Sequence, residues 1–194
     1  MHKLTQRIKG SAALLTALIA VLSVSAAGAG DYKPPIVEVV AFDYDKLALM
    51  EVEREKTATN LAAFVVNGLD KKPSARQIEN ARRLIGLALH LNPKNRTALV
   101  ANFQLNRDVT PKKVQADYKP EVFSTLLMER AKSLRKNGDS ENTKLAGYLL
   151  FAAVEMDPGN ESAVYEYELY RIEVGEPNWK AITDASREKT ADSR

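Results

Sequence analysis

This chain uses one joint twice. In "LHLNPKN" (Leu89 to Asn95) and again in "EMDPGN" (Glu155 to Asn160), an apolar helical run meets a proline and a new segment restarts at asparagine. Proline lacks an amide hydrogen and disfavours helical geometry in the residue before it, so Asn92-Pro93 and Asp157-Pro158 are helix stops. Asparagine is a good N-cap, so Asn95 and Asn160 are helix starts. An offset of 65 residues lays Ala75 to Leu105 over Ser140 to Tyr170. It superposes Ala81 on Ala146, Ala88 on Ala153, Pro93 on Pro158, Asn95 on Asn160 and Ala98 on Ala163. Self-similarity at a fixed spacing points to helical hairpins stacked on one another.

The flanking segments agree. From Ser74 to Leu91, Ile78, Ala81, Leu84, Ile85, Ala88, Leu89 and Leu91 recur at three- and four-residue steps, which is one face of an amphipathic helix. Ser74 with Gln77 three residues on makes a capping-box pattern. Ser140 to Met156 reads the same way, with Ser140 as cap, and "NESAVYEYELY" follows it. Pro120 suits a first helical position, and Gly138 suits a C-terminal stop. Upstream, Ala58, Leu61, Ala62 and Val65 are helical in spacing, whereas "KLALMEV" fits either a helix or a two-residue alternation. "RDVTPKKVQADYKP" (107–120) is a linker. The predicted fold is all-α. A helical domain spans 45–177, with hairpins over about 45–91 and 120–156 and further helices over about 96–106 and 160–174. An extended or partly disordered leader, 30–44, precedes it, and a polar tail, 178–194, frays beyond it.

At these residues the sequence resembles the tetratricopeptide repeat family, whose repeats of about 34 residues are pairs of antiparallel helices. The family's second helix carries small, apolar and small residues before a closing proline. Ala81, Ile85, Ala88 and Pro93 match that order, as do Ala146, Leu150, Ala153 and Pro158. Leu127, Ala131 and Leu134 fit the first helix, and Leu61, Val65 and Gly68 fall at those places in the earlier hairpin. The Leu-Gly glycine is absent from both. The resemblance covers about Leu61 to Val174 and implies a short right-handed array of stacked hairpins. It also implies a partner-binding groove lined by Thr97, Val100, Ala101 and Gln104 and by Ser162, Tyr165, Glu166 and Leu169. Val100 and Tyr165 stand where carboxylate-clamping members carry asparagine, so the resemblance does not carry that activity. Ordinary packing is the alternative for all of these residues.

The first residues bear on location. "MHKLTQRIKG" carries Lys3, Arg7 and Lys9 and no acid; "SAALLTALIAVLSV" is apolar and short, and "SAAGAG" ends the segment in small residues. That order predicts a Sec-type signal peptide over 1–29, cleaved after Ala29 with Ala27 as the alternative, and hence a periplasmic or extracellular body. Membrane contact is expected only through this segment if it is left uncleaved. Without it the 28 basic and 25 acidic residues become 25 of each, so there is no basic footprint for nucleic acid. With no cysteine, and with His90 as the sole histidine beyond the signal, thiolate metal sites, disulfides and thiol nucleophiles are excluded.

No catalytic, cofactor-binding or metal-ligating residue is predicted. Asp43, Asp45, Glu51, Glu53 and Glu55 solvate a face in this reading, because metal or acid–base work needs carboxylates that converge. His90 suits the negative end of a helix. Tyr165, Tyr167, Tyr170 and Trp179 read as packing or capping of the last hairpin. Asn95-Arg-Thr97 and Asn160-Glu-Ser162 match glycosylation acceptors, but both asparagines are already needed as caps. The expectation is an exported, non-catalytic module that binds a protein or peptide in an envelope assembly. The alternatives are a small exported enzyme or hydrolase accessory using the acidic N-terminal region, and a structural protein that self-associates through the leader and the tyrosine-rich helix.

Overall fold

The computed structural model describes residues 41–136 and 138–183. These fold as α1 (Glu51–Gly68), α2 (Ala75–Leu91), α3 (Arg96–Leu105), α4 (Pro120–Lys136), α5 (Ser140–Met156), α6 (Glu161–Glu173) and α7 (Trp179–Thr183). No strand occurs among the described residues, and the chain is all-α. The predicted signal peptide, most of the leader and residues 184–194 lie outside the described residues.

Helix bounds repeat at the predicted interval: α2 and α5 begin and end 65 residues apart, and so do the starts of α3 and α6. The joints are built alike. Asn95 Oδ1 accepts the Ala98 N–H at 3.0 Å, and Asn160 Oδ1 accepts the Ala163 N–H at 3.1 Å. Each asparagine also reaches back to the first helix of its half. Asn95 Nδ2 donates to Thr59 Oγ1 at 2.9 Å, and Asn160 Nδ2 donates to Ser124 Oγ at 3.3 Å. Thr59 and Ser124 are themselves 65 residues apart, so one side chain caps a helix and fastens it to another in both halves. The alanines at 81, 88, 146 and 153 are all buried, which lets neighbouring helices approach closely.

α1 packs on α2 and α3, α4 on α5 and α6, and α7 returns to α2. One core runs through them, from Leu61 and Leu84 to Leu134, Leu149 and Leu150. Arg83 of α2 lies over the Phe151 ring of α5 at 5.7 Å, and Asn80 Nδ2 donates to Glu155 Oε2 at 2.7 Å.

Several expectations are corrected. Asp139, not Ser140, caps α5, its carboxylate accepting the Glu141 N–H at 2.7 Å. In α1 the buried set includes Ala62, Val66 and Leu69 while Gly68 is exposed. Leu61 and Val65 are buried as well, and the 65-residue offset sets Ala62, Val66 and Leu69 against Leu127, Ala131 and Leu134. In "KLALMEV" alternation wins up to residue 50: Leu47 and Leu49 are buried and Met50 is exposed before the helix starts at Glu51. The polar tail is not wholly free, because Trp179–Thr183 is helical and Ile182 is buried. The cause is Gly86, where a Cβ would stand 2.6 Å from Ile182 Cγ2; the missing side chain makes room for the docked turn. Gly138 ends the α4–α5 turn at φ +68°, a conformation glycine adopts without strain.

Candidate partner-binding groove

α4 and α6 run side by side and leave a cavity of about 310 Å³ between them. Met128, Glu129 and Lys132 line it from α4, and Glu161, Ser162, Tyr165 and Glu166 line it from α6. Lys132 lies three and four residues after Glu129 and Met128, and Tyr165 and Glu166 lie three and four after Ser162, which places each set on one helical face. The floor is apolar where Met128 is buried, and one wall is the Tyr165 ring, which is 66 % exposed. The rim is charged: Lys132 pairs with Glu129 at 3.1 Å, and Arg135 pairs with Glu166 at 3.6 Å and with Glu173. Glu161, in the first turn of α6, has no ion-pair partner among the described residues. An apolar floor with a mixed, mainly acidic rim suits a polypeptide segment more than a small metabolite.

Among the sequence-predicted residues, Ser162, Tyr165 and Glu166 meet in this cavity, and Leu169 lies half-buried beyond it on the same helix. Thr97, Val100 and Gln104 do not join them. They sit on α3, where Val100 is exposed, Thr97 and Gln104 are half-buried and Ala101 is buried. Each is the 65-residue counterpart of a residue on α6. The α1 counterpart of Lys132 is Asn67, and its Oδ1 accepts the Val114 N–H at 2.9 Å, so the linker after α3 crosses the first half there. Met128, Glu129, Lys132 and Glu161 were not among the expected groove residues. Their signal is the three- and four-residue spacing on α4, which the groove register applies to as much as to α6.

The tyrosine-rich helix divides. Tyr170 is buried against Gly147, Tyr167 meets Phe151 at 6.0 Å, and Trp179 stacks on Phe151 and Tyr148 at 4.5 and 4.9 Å. Tyr165 is the exception: it neither packs nor caps, and projects into the groove. Burial raises the Tyr167 and Tyr170 hydroxyls above the ordinary range and pushes Tyr148 up to about 12.

A second depression, of about 550 Å³, lies between the N-terminal segment and the start of α5. Its charges are matched within the chain: Lys46 with Asp43 at 2.9 Å and Lys144 with Glu141 at 3.0 Å. The hydrogen bond from Lys46 holds the Asp43 carboxyl below its usual value. Glu51 is exposed at the start of α1 and Glu53 pairs with Arg130 at 2.5 Å. No group of three or more His, Asp or Glu able to hold a metal ion occurs among the described residues. Asn95 is buried and Asn160 half-buried, both with their amides engaged. Among the described residues no helix is long and apolar enough to cross a membrane. Comparison with family models, with curated proteins and with solved structures returns no match.

Proposed function

We propose that this chain is a non-catalytic, tetratricopeptide-like interaction module, exported by its N-terminal signal, that holds a segment of another protein in the α4–α6 groove. The observation that supports the reading best is Tyr165. A large aromatic ring left 66 % exposed beside an apolar floor, with a charged rim around it, is the composition of an interface hot spot. The repeat supports it from a second side, since the 65-residue spacing governs helix bounds, caps and the capping-residue ties together. Export rests on the basic, apolar and small-residue order of residues 1–29.

The test is site-specific photo-cross-linking of the full chain in its own cells. The photoreactive residue is placed at Lys132 or Ser162, and at Lys56 on α1 as a control. The reading expects an adduct with a different protein from the two groove positions only, recovered from the exported fraction and weakened at least several-fold by Tyr165→Ala. Adducts with copies of this chain alone would favour the self-associating structural protein. Equal adducts from Lys56 would remove the groove from consideration.

A further inference from the structure

His90 sits at the end of α2 with its side chain between the two ends of the folded body. It is 3 % exposed. The Ala41 N–H donates to His90 Nδ1 at 3.0 Å, and His90 Nε2 lies 3.2 Å from the Ile182 carbonyl oxygen. An amide N–H can only donate, so Nδ1 is the bare nitrogen and Nε2 carries the hydrogen that Ile182 accepts. The backbone of the same residue is used too: Tyr44 Oη donates to His90 O at 2.5 Å. One residue thus ties down both the segment that enters the body and the helix that closes it.

We propose that His90 is a pH-sensitive clasp for the N-terminal segment: in its neutral form Nδ1 fastens Ala41 to α2, and protonation at Nδ1 releases that bond while Nε2–H keeps its bond to the Ile182 carbonyl of α7. A proton on Nδ1 would face the Ala41 N–H, donor against donor, and the bond cannot form. Burial holds the imidazole below its ordinary 6.5, partly offset by the Ile182 carbonyl. An unfolded or released chain takes up that proton near 6.5 and the closed form only at lower pH. The clasp is therefore intact above about 6.5 and is lost as pH falls through the closed-state value.

The charged and titratable groups on the elements packed against His90 are mostly committed elsewhere, and none of them shifts the imidazole. From the N-terminal segment come Tyr44 and Asp43, the latter paired with Lys46. Arg54 of α1 lies 4.3 Å above the Tyr44 ring. α5 contributes Tyr148, Glu141 and Lys144, the lysine donating to Ala41 O at 3.0 Å while paired with Glu141. α7 contributes Lys180, and α2 itself Arg83 and Glu79, which pair with each other. Both ring nitrogens are engaged by backbone, so no carboxylate holds the imidazolium in place.

The rest of the N-terminal segment is fastened independently. Asn142, buried on α5, accepts the Ala48 N–H at 2.7 Å and donates to Lys46 O at 3.0 Å. Asp43 N–H donates to Glu141 Oε2 at 3.1 Å, so the release is confined to the chain at Ala41, and Trp179 of α7, the single tryptophan of the chain, reports that α7 stays in place.

The experiment is nitrogen-resolved NMR of the full chain between pH 7.5 and 4.5, with Trp179 emission read in parallel. We expect the Nε2–H tautomer at pH 7.5 and a His90 midpoint below 6.5. At that midpoint the Ala41 amide should lose about tenfold in exchange protection, after correction for intrinsic rate, while Trp179 emission should hold its position. Glu141→Gln should leave the midpoints of the His90 and Ala41 signals in place, and His90→Gln, where it folds, should abolish the Ala41 transition. An Nδ1–H tautomer would overturn the proposal. So would a midpoint at or above 6.5, or Ala41 protection that is unchanged while His90 titrates. All three can be read from the unsubstituted chain, so a variant that fails to fold does not shelter the idea.

Discussion

Replacing Asn95 by alanine tests the joint that organises the chain. Two interactions vanish together: the cap on Ala98 N–H at 3.0 Å and the tie to Thr59 Oγ1 at 2.9 Å. Losing an N-cap costs about 1 kcal/mol, and losing a buried hydrogen bond costs about another 1 kcal/mol. Asn95 is 7 % exposed, so water cannot readily replace the cap on Ala98, while the tie ends on an exposed Thr59. The expected loss is about 2 kcal/mol, a fall in Tm of roughly 6 °C for a body of this size. Asn160→Ala should cost less, about 1 kcal/mol. Its side chain is half-buried, its cap on Ala163 is only partly buried, and its tie to Ser124 is longer at 3.3 Å. Urea unfolding followed by circular dichroism at 222 nm measures both, provided the m-value is unchanged. A double-mutant cycle with Thr59→Val should isolate a coupling of about 1 kcal/mol. The reasoning is refuted if Asn95→Ala lies within about 0.5 kcal/mol of the parent chain, or if Asn160→Ala costs more.

Two further outcomes follow from the same packing. Gly147→Ala drives a methyl group into the buried Tyr170 ring and should cost about 2 kcal/mol or more, read as a lowered urea midpoint; an unchanged midpoint would mean that α6 is free to shift. At alkaline pH, Tyr118 and Tyr148, both pushed up to about 12 by burial, favour the protonated form in the fold. Their contribution is intact below the ordinary value of 10 and is lost as pH rises towards 12, so absorbance at 295 nm should show late-titrating phenols that merge with the others once the chain unfolds.

What could be read from the sequence was local. Proline at 93 and 158, asparagine at 95 and 160, and the Ser74–Gln77 pair act through their own backbone neighbours, and all of them fall where they were expected. Ser140 was displaced as a cap because Asp139, equally able to accept, lies one residue earlier at the counterpart of Ser74. What could not be read depended on residues far apart in the chain. The tail beyond Pro177 is polar in composition, and only the space over Gly86, about a hundred residues earlier, explains why Ile182 docks. Likewise His90 has a helix-end position that its spacing reveals, but its hydrogen bonds run to residues 41 and 182. In the groove, the α6 half follows from helical register, while the α4 half required knowing which helix lies beside it.

The two halves share a joint but not a surface, and the difference decides which face stays open. After α3 the chain leaves through Asn106, turns at Asp108 with φ 56°, buries Pro111 and donates from Val114 to Asn67. That path crosses the end of the α1–α3 face, and it does so because the linker must travel to the start of α4. After α6 no such journey is needed. Gly175, at φ 101°, turns the chain away, and Trp179 is drawn onto Phe151 and Tyr148 on the other side of α5. Lys132, the counterpart of Asn67, is therefore left facing the cavity, with Tyr165 opposite it where the first half has only Val100. Duplication supplies two equivalent faces; connectivity closes the end of one against the chain's own linker and leaves the other open. The groove on α4 and α6 is thus a consequence of where the chain had to go next.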